Sequence, residues 1–544
     1  MLRRAVYLGF DSSTQGLKVS AISGDLSVVY SSAINFDKDL PQFGTSGGAI
    51  AEGAVVTAPS LMFAAALDIV LDRMKSDGFA FEDVVAISGS GQQHGSVYLK
   101  DGARAALGAL DASAGALAPQ LEAADIFARA DSPIWMDSST GAQCAQLEER
   151  LGGAAAVAAL TGSRAFERFT GNQIAKVYEQ TPEVYAETER VALISSFMCS
   201  LLVGDYAPID TSDGAGMNMM DLTRQEWSDA ALDATAPELR KRLGEVVPAH
   251  TVVGAVSPYL CERFGFAPQC SVVAWSGDNP NSVAGLGIRD AGDVGISLGT
   301  SDTLFSIVGA EDSVPSLNSH TFVNPVDPAS HMVMLCVKNG SLAREAVCAR
   351  VAGGDWDAFN ALVATTPAGN DGNVGFFFEQ AEIVPHIETP GVRRFNSDGV
   401  LVESFASPAI EARAVLEGQL LSMRSHAEAA GLVPKRLIAT GGASANSTLV
   451  QVIANVFGAP VFVSTQTDSA SLGAAYRALH GHECAKAADA GGEFVSYADV
   501  TAAATSESLS LAAEPDSAAH TQYTELLPAY RDLTVRVIAA DASS

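Results

Sequence analysis

The chain has 544 residues, of which 48% are hydrophobic and 18% are charged. Its length exceeds what one hydrophobic core supports, because cores stop growing at about 250 to 300 residues, and two large domains are predicted. The 63 acidic and 33 basic side chains give a net charge of -30, which disfavours binding to nucleic-acid backbones and anionic membranes.

The seven cysteines are scattered and form no close pairs, which favours reduced thiols over a disulfide framework or a zinc site. No apolar run reaches the roughly 18 residues of a membrane span. Strand-like sequence begins at Ala5, which leaves no room for a signal peptide. A soluble, cytoplasmic protein with no nucleic-acid or membrane partner is therefore predicted.

Residues 5–23 have the pattern of a β-hairpin with a polar turn from Asp11 to Gly16. The hydroxyl and backbone N–H groups of such a turn can hold a phosphate. The segment ISLGTSDTLFSI at residues 296–307 repeats the pattern, and an internal duplication with two phosphate turns across one cleft is predicted. The alternative, two unrelated surface hairpins, would require neither a carboxylate at Asp11 nor an amine at Lys18.

Residues 84–88 are strand-like and lead into the polar sequence GSGQQHG, which ends at Gly95. Its two amides and its imidazole are suited to polyol recognition, although a lone histidine such as His94 is more often structural. Farther along, Arg164 lies in the basic segment 161–176 of an otherwise acidic chain. Arginines on a helix surface usually form ion pairs, so substrate contact by Arg164 is the less common alternative.

A short apolar strand, Val272 to Trp275, is predicted to deliver Asp278 into a loop. A carboxylate at the end of a strand is a candidate general base, while a turn or capping role is its structural alternative. The following strand, Val294 to Leu298, ends in a second hydroxyl-rich turn. This stretch therefore predicts a base followed by a phosphate cradle.

In the second half, a strand from Arg436 to Ala439, a glycine loop and a helix from Asn446 to Phe457 form one unit. Glycines at a helix N-terminus suit nucleotide contact, because free N–H groups attract anions and the main chain can be approached closely. Trp356 is predicted to lie in a turn rich in glycine and aspartate. Residues 484–518 have no sustained pattern and are predicted to form a loop or surface excursion.

Seven motifs along the chain resemble those of the FGGY carbohydrate kinase family and occur in the same order as in that family. The resemblance extends from about residue 5 to about residue 480. Within the family they are most similar to the kinases of D-xylulose of eukaryotic type. The motifs are the turn at residues 11–18, GQQHG at 91–95, PIWMDSST at 133–140, GSRAFERFTGNQIAK at 162–176, GDN at 277–279, SLGTSDTLF at 297–305 and ATGGAS at 439–444.

The resemblance implies an α/β fold of two lobes, related to actin and hexokinase, in which ribonuclease H-like domains are duplicated around a central cleft. Its N-terminal lobe would span residues 1–285 and its C-terminal lobe residues 286–544. It implies transfer of phosphate from ATP, with Mg²⁺, to the terminal hydroxyl of D-xylulose. Sugar and ATP would be the small-molecule partners of a monomer or homodimer.

The resemblance also implies roles for individual residues. Asp278 matches the catalytic base and a sugar contact, and Asp11 the carboxylate on the magnesium side. The other matched sugar contacts are His94, Arg164 and Asn279. The matched ATP contacts are Thr14, Gln15, Lys18, Gly299, Thr300, Ser301, Trp356, Gly441, Gly442, Ala443 and Asn446.

Two alternatives stay open on the sequence. The nearest is a kinase of the same fold that acts on another ketose or polyol, such as ribulose or glycerol. The second is an actin-like protein that uses ATP to switch conformation for a partner. A carboxylate such as Asp278 beside polar, sugar-type residues favours the kinase.

Overall fold

The computed structural model describes residues 5–464, 468–507 and 509–543, and for residues 503–507 it describes the backbone alone. Packing divides the chain into two compact units. Unit 1 comprises the described residues of Met1–Arg289, Thr321–His331 and Asp468–Glu507, and unit 2 those of Asp290–His320, Met332–Thr467 and Ser508–Ser544. The predicted division into functional lobes at residue 285 stays a prediction, but packing groups two later segments with the first unit.

The β-strands are numbered here in chain order. They are β1 (Val6–Ser12), β2 (Gly16–Ser23), β3 (Val28–Asn35), β4 (Ile50–Glu52), β5 (Val55–Pro59), β6 (Val84–Gly91), β7 (Ser96–Lys100), β8 (Asp131–Pro133), β9 (Thr188–Leu193), β10 (Ile209–Asp210), β11 (Met220–Asp221), β12 (Glu226–Trp227), β13 (Val246–Val247), β14 (Val252–Ala255), β15 (Ser271–Val273), β16 (Ser276–Gly277), β17 (Asp293–Leu298), β18 (Asp302–Gly309), β19 (His320–Val323), β20 (Ser330–Val337), β21 (Val374–Phe378), β22 (Gly391–Phe395), β23 (Leu401–Val402), β24 (Arg436–Thr440), β25 (Val461–Ser464) and β26 (Leu509–Ala513).

The α-helices follow the same order. They are α1 (Phe36–Asp39), α2 (Ser60–Ser76), α3 (Ala103–Gly108), α4 (Leu117–Ala123), α5 (Gly141–Leu151), α6 (Ala154–Thr161), α7 (Thr170–Gln180), α8 (Pro182–Glu187), α9 (Ile194–Val203), α10 (Thr211–Gly214), α11 (Asp229–Thr235), α12 (Leu239–Leu243), α13 (Pro258–Phe264), α14 (Asp278–Gly285), α15 (Ser341–Ala352), α16 (Trp356–Ala364), α17 (Pro408–Ala429), α18 (Ser447–Phe457), α19 (Ser469–Asp489), α20 (Tyr497–Glu507) and α21 (Ser517–Asp541). Short 3-10 helices lie at Pro41–Phe43, Phe81–Asp83, Ala112–Ala114, Ala215–Met217, Asn370–Gly372 and Gly442–Ala445.

The two large sheets repeat one strand arrangement. In the first sheet the order is β14-β15-β6-β1-β2-β3, and the hairpin of β1 and β2 lies beside the parallel strand β6. In the second sheet the order is β19-β20-β18-β17-β24-β25-β26, and the hairpin of β17 and β18 lies beside the parallel strand β24. Next to β6 lie the parallel strand β15 and then the antiparallel strand β14. Next to β24 lie the parallel strand β25 and then the antiparallel strand β26. The predicted duplication is therefore confirmed in strand order.

Strand β1 shows how the first sheet is covered on both faces. Its side chains alternate, so Leu8 and Phe10 pack in a core with α2, whereas Tyr7 packs with α19. Gly9 also faces α19, and a Cβ built there would lie 2.0 Å from the carbonyl oxygen of Ser471. Only glycine therefore allows this helix to lie directly on the strand, and Asp11 points to the same face.

Several sequence predictions about local structure are wrong. Asp278 begins α14 rather than lying in a loop, and Trp356 begins α16 rather than lying in a turn. Residues 484–518, predicted to be irregular, contain the end of α19, then α20, β26 and the start of α21.

Within the described ranges, no helix is both long and apolar enough to cross a membrane.

Candidate active site

The carboxylate of Asp278 lies in unit 1, at the first residue of α14, where strand β16 ends. Its Oδ1 accepts hydrogen bonds from the backbone N–H of Asn279 at 2.9 Å and of Gln93 at 3.3 Å. The Asn279 amide donates to Gln93 Oε1 at 2.8 Å. The sequence GSGQQHG and the GDN motif, which are almost 190 residues apart, are thus joined in one polar cluster.

Glycine at position 277 makes this cluster possible. A Cβ on Gly277 would lie 2.3 Å from Gln93 Cγ and 2.9 Å from Asp213 Oδ1. Asp213 is 1% exposed, and its pKa is raised well above its usual value by burial and by the neighbouring Asp210. Asp213 was not predicted because the short helix in which it lies, α10, carries no recognisable motif.

The carboxyl groups of Asp278 and Asp11 both have raised pKa values. Burial, and then repulsion by Asp11, raises the pKa of Asp278 to about 7. Burial raises the pKa of Asp11 to about 6, although a hydrogen bond from Ser90 and the charge of Lys18 act in the opposite direction. The structure therefore places the predicted base and the predicted magnesium-side carboxylate close enough to repel each other.

His94 is buried and holds a left-handed backbone conformation, with φ at 69°. Its Nδ1 lies 2.8 Å from the carbonyl oxygen of Gly216, and its ring stacks on Phe169 at 4.3 Å. Burial, and then the charge of Arg168, lowers the pKa of His94 to about 3. The imidazole is therefore neutral, and because Nδ1 donates its proton to Gly216, Nε2 is a hydrogen-bond acceptor.

Two arginines stack near this histidine. The guanidinium of Arg164 lies 4.6 Å from the ring centroid of Phe166, and that of Arg168 lies 5.9 Å from the centroid of Phe169. Phe169 in turn stacks on His94. Arg168, which sequence analysis did not select, is thus the arginine whose charge acts on His94, while the assignment of Arg164 to the sugar stays a prediction.

The first predicted phosphate turn closes the hairpin of β1 and β2. Ser13 donates from its N–H and from its hydroxyl to the Gly16 carbonyl, at 2.9 and 3.1 Å. Thr14 Oγ1 accepts a hydrogen bond from the indole of Trp135 at 2.9 Å. The neighbouring Gln15 side chain is exposed.

Lys18 forms an ion pair with Asp468 at 2.7 Å, and both side chains are more than 40% exposed. Asp468 directly precedes α19, and its charge also raises the pKa of Asp11. The sequence does not predict this pair, because the resemblance assigns residues 286–544 to the other lobe. Asp468 nevertheless lies beside the first predicted phosphate turn.

In unit 2, the second predicted phosphate turn closes the hairpin of β17 and β18. Thr300 and Ser301 are exposed, and Ser301 Oγ donates to the Lys338 carbonyl at 3.2 Å. Gly441 approaches the same hairpin, because a Cβ there would lie 2.4 Å from the Leu298 carbonyl oxygen. The structure therefore brings the second predicted phosphate turn and the glycine loop together.

The remaining predicted nucleotide contacts belong to two neighbouring helices. Asn446 caps α18, with Oδ1 accepting from the N–H of Thr448, and its amide donates to Asn360 of α16 at 3.1 Å. Trp356 starts α16 and is 38% exposed. Gly442 has open space around it, and Ala443 is partly buried. An exposed indole near a glycine loop can accept a flat base by stacking.

Comparison with protein families identifies the fold. The model of the FGGY family of carbohydrate kinases matches residues 131–285 with its N-terminal domain and residues 294–482 with its C-terminal domain. The chain belongs to the FGGY family of carbohydrate kinases.

Relatives within the FGGY family extend over nearly the whole chain. The chain is 48% identical to xylulose kinase of Rattus norvegicus over 541 residues, which cover 98% of each protein. It is 47% identical to xylulose kinase 2 of Arabidopsis thaliana over 497 residues, which cover 89% of this chain and 88% of the plant protein.

Solved FGGY kinase structures share the fold. Xylulose kinase of Rhodospirillum rubrum superposes with a TM-score of 0.78 at 18% identity and covers 99% of this chain and 100% of its own. Glycerol kinase of Plasmodium falciparum with ADP gives 0.74 at 15% identity and covers 98% of each chain. These likenesses confirm the predicted α/β kinase fold with two domains.

Proposed function

We propose that the chain transfers the γ-phosphoryl group of ATP to the terminal hydroxyl of D-xylulose and forms D-xylulose 5-phosphate. The observation that carries this proposal is the 48% identity to a xylulose kinase over 98% of both proteins. A second xylulose kinase, from a plant, is 47% identical. The polar cluster of unit 1 supplies chemistry that such a reaction needs.

Asp278 acts as the general base in this proposal. A sugar hydroxyl is a weak nucleophile, and a carboxylate whose pKa lies near the working pH accepts its proton efficiently. The pKa of Asp278, at about 7, meets that requirement. Asn279 and Gln93 fix its orientation through hydrogen bonds to the carboxylate and to each other.

His94 orients the sugar as a hydrogen-bond acceptor, because its Nδ1–H is engaged by Gly216. We expect His94→Asn to raise the KM for D-xylulose about 3- to 10-fold, the effect of losing one neutral hydrogen bond, and to leave the KM for ATP unchanged. Asparagine tolerates the positive φ of this position, so the backbone is kept.

The matched control for His94 is His482→Asn, which changes a partly buried histidine on α19 of the same unit and should leave both KM values unchanged. Steady-state kinetics with each substrate varied in turn check the prediction. A His94→Asn enzyme with the parent KM for D-xylulose would exclude His94 from sugar binding.

The donor set around Asp11 fits Mg²⁺. The ion prefers oxygen ligands, keeps several of its own waters and needs only one or two protein carboxylates. The described residues contain no cluster of three or more metal-ligating side chains, and Mg²⁺ does not need one. Repulsion between Asp11 and Asp278, seen in the raised pKa of Asp278, is what a nearby cation would relieve. When bound, the ion would neutralise phosphate charge, and Asp11 would hold it through water.

Phosphate contacts are assigned to both turns and to Lys18. The ion pair of Lys18 with Asp468 is exposed, and pairs of this kind contribute only about 0 to 1 kcal/mol, so exchange of Asp468 for a phosphate costs little. Thr14 and Gln15 belong to the same turn. In unit 2, Thr300 and Ser301 are assigned to phosphate. The other assigned nucleotide contacts there are Gly299, Trp356, Gly441, Gly442, Ala443 and Asn446.

The pH dependence of the reaction follows from Asp278. The base must be unprotonated, so kcat/KM for D-xylulose should rise with pH on the acid side of the profile. The midpoint of this rise should lie well above the value of about 4 for an ordinary aspartate. It should not exceed the pKa of about 7, because a cation at Asp11 would reduce the repulsion between Asp11 and Asp278 and so lower the pKa of Asp278. A profile that stays flat down to about pH 5 would contradict a raised pKa at the base.

The test of the proposed function is ADP release with Mg-ATP, measured with D-xylulose, D-ribulose, L-ribulose, glycerol or no sugar. We expect release that depends on sugar and is fastest with D-xylulose. Preference for another acceptor would overturn the substrate, and ADP release that is independent of sugar would favour an ATP-driven switch. A cytoplasmic location and a monomeric or homodimeric state complete the proposal.

A further inference from the structure

A buried ion pair lies beneath the second phosphate turn of unit 2. Arg344, on α15, donates to both carboxylate oxygens of Asp302, with distances of 2.6 Å to Oδ2 and 3.0 Å to Oδ1. The two side chains are 3% and 0% exposed. Burial of a charged pair costs free energy unless its geometry is good and further hydrogen bonds satisfy its remaining donors and acceptors. The groups that form those further hydrogen bonds therefore show which part of the structure the pair supports.

The carboxylate of Asp302 fixes the first residue of the turn. Its Oδ1 accepts the N–H of Gly299 at 3.1 Å. On the other side, the Gly299 carbonyl accepts the N–H of Ser341 at 2.8 Å, and the Thr300 carbonyl accepts the N–H of Gly340 at 3.1 Å. The backbone of the turn is therefore held on two sides.

These contacts set the direction of two N–H groups. A peptide group is planar and trans, so its N–H points opposite to its carbonyl oxygen. Because the carbonyls of Gly299 and Thr300 point towards the start of α15, the N–H groups of Thr300 and Ser301 point away from it. Neither N–H has a hydrogen-bond partner in the part of the chain that the structure describes. Two adjacent free donors on an exposed turn form an anion-binding concavity.

Arg344 connects Asp302, which holds the turn on one side, to the segment at residues 339–341, which holds it on the other. Its second contact is with Gln419 Oε1 at 3.0 Å, and the Gln419 amide donates to the carbonyls of Asn339 and Gly340. Glu382 holds the same segment by accepting the backbone N–H and the side-chain amide of Asn339. The segment at residues 339–341 and the turn are thus joined through one guanidinium.

Gly340 shows how closely the parts fit. A Cβ at this position would lie 2.6 Å from Asp302 Oδ1, so no side chain fits between the carboxylate and the start of α15. Contact with the ion pair therefore requires glycine here.

We propose that Asp302 and Arg344 are a positioning pair for nucleotide phosphate, which they do not touch themselves. Asp302 aims the free N–H groups of Thr300 and Ser301 at a phosphoryl group, and Arg344 cancels the negative charge that Asp302 would otherwise place next to that anion. This inference rests on the proposed function and deepens it, because it assigns phosphate recognition in unit 2 to a buried ionic support.

A purely structural pair would behave differently. Its loss would lower stability and affect all ligands of unit 2 alike. A positioning pair acts on the phosphate turn, so its loss should weaken ADP and leave adenosine, which has no phosphate, unaffected. The ratio of the two dissociation constants therefore separates the two roles.

The experiment measures binding of ADP and of adenosine by titration calorimetry to the full-length parent, Arg344→Met and Arg344→Lys, with thermal unfolding of each variant as a check of folding. We expect Arg344→Met to weaken ADP at least about 10-fold, since small displacements of positioned groups cost up to about 100-fold, and to change adenosine less than about 2-fold. The KM for ATP should rise and the KM for D-xylulose should not.

Arg350→Met is the matched control. Arg350 lies on the same helix, and its ion pair with Glu411 is 43% exposed on the arginine side. Replacement should leave the affinity for both ligands unchanged. Asp302→Asn in the Arg344→Met background should restore part of the ADP affinity, because it removes the uncompensated negative charge.

Equal weakening of ADP and adenosine by Arg344→Met, or unchanged affinity for both in the folded variant, would overturn the proposal. If Arg344→Met does not fold, Arg344→Lys decides: it keeps the charge but not the two parallel hydrogen bonds, so selective weakening of ADP supports the proposal and parent-like affinity refutes it. Failure of the proposed function would appear in the parent protein, as ADP release that does not depend on sugar.

Discussion

Replacement of Asp278 by asparagine is expected to lower kcat for sugar phosphorylation by about 100- to 10,000-fold, the range for loss of a general base. The amide keeps the size of the side chain, and its oxygen still accepts the N–H of Asn279, so binding of sugar and ATP should persist. Single-turnover kinetics together with direct sugar binding measure the two effects separately.

The control for this variant is Asp229→Asn, which changes the first residue of α11 in the same unit. Asp229 is 81% exposed and pairs with Arg240, so its replacement should leave turnover unchanged. Normal turnover in Asp278→Asn would remove this carboxylate from the mechanism. Loss of sugar binding in step with kcat would indicate that Asp278 serves to bind the sugar rather than to accept a proton.

Replacement of Arg477 by methionine is expected to lower the free energy of unfolding by about 3 to 5 kcal/mol, the cost of leaving a buried charge without its partner. Arg477 lies on α19, is 1% exposed and faces the fully buried Asp210 at 4.0 Å. It also donates to Asn281 Oδ1 on α14 at 3.0 Å. The effect should therefore extend to the helix that carries Asp278.

Urea denaturation measures this change, with Lys486→Met as the control. Lys486 lies on the same helix, is 60% exposed and pairs with Glu483, so its loss should change stability by less than about 1 kcal/mol. An Arg477→Met protein within about 1 kcal/mol of the parent would show that Asp210 is uncharged in the folded state.

The sequence predicted the parts of the fold that rest on local pattern. The hairpin at residues 5–23 and the helix after the glycine loop both follow from side-chain periodicity and turn composition. Asp278 was misplaced because the Asp-Asn-Pro sequence is typical of a turn. Proline is equally compatible with the first turn of a helix, where its missing N–H would have no partner.

Trp356 was misplaced for a similar reason. The residues before it, Gly353-Gly354-Asp355, are typical of a turn, but the Asp355 side chain accepts the N–H of Asp357 and Ala358 and so starts a helix. Aspartate serves both purposes, and tertiary packing decides between them.

The candidate site was predictable only where a motif carried it. Asp278, His94 and the phosphate turns lie in recognisable motifs, but their supporting residues do not. Asp468 reaches Lys18 across 450 positions, and Arg344 reaches Asp302 across 42. Such pairings depend on how helices pack on sheets, and no periodicity in the sequence records them.

The central claim, transfer of phosphate to a sugar, is tested most directly by the products. Phosphorus NMR of the protein with Mg-ATP and D-xylulose should show ADP and a sugar phosphate monoester appearing in equal amounts, and neither should form in the absence of sugar. Formation of ADP with inorganic phosphate in place of the ester would contradict the account, because water would then be the acceptor.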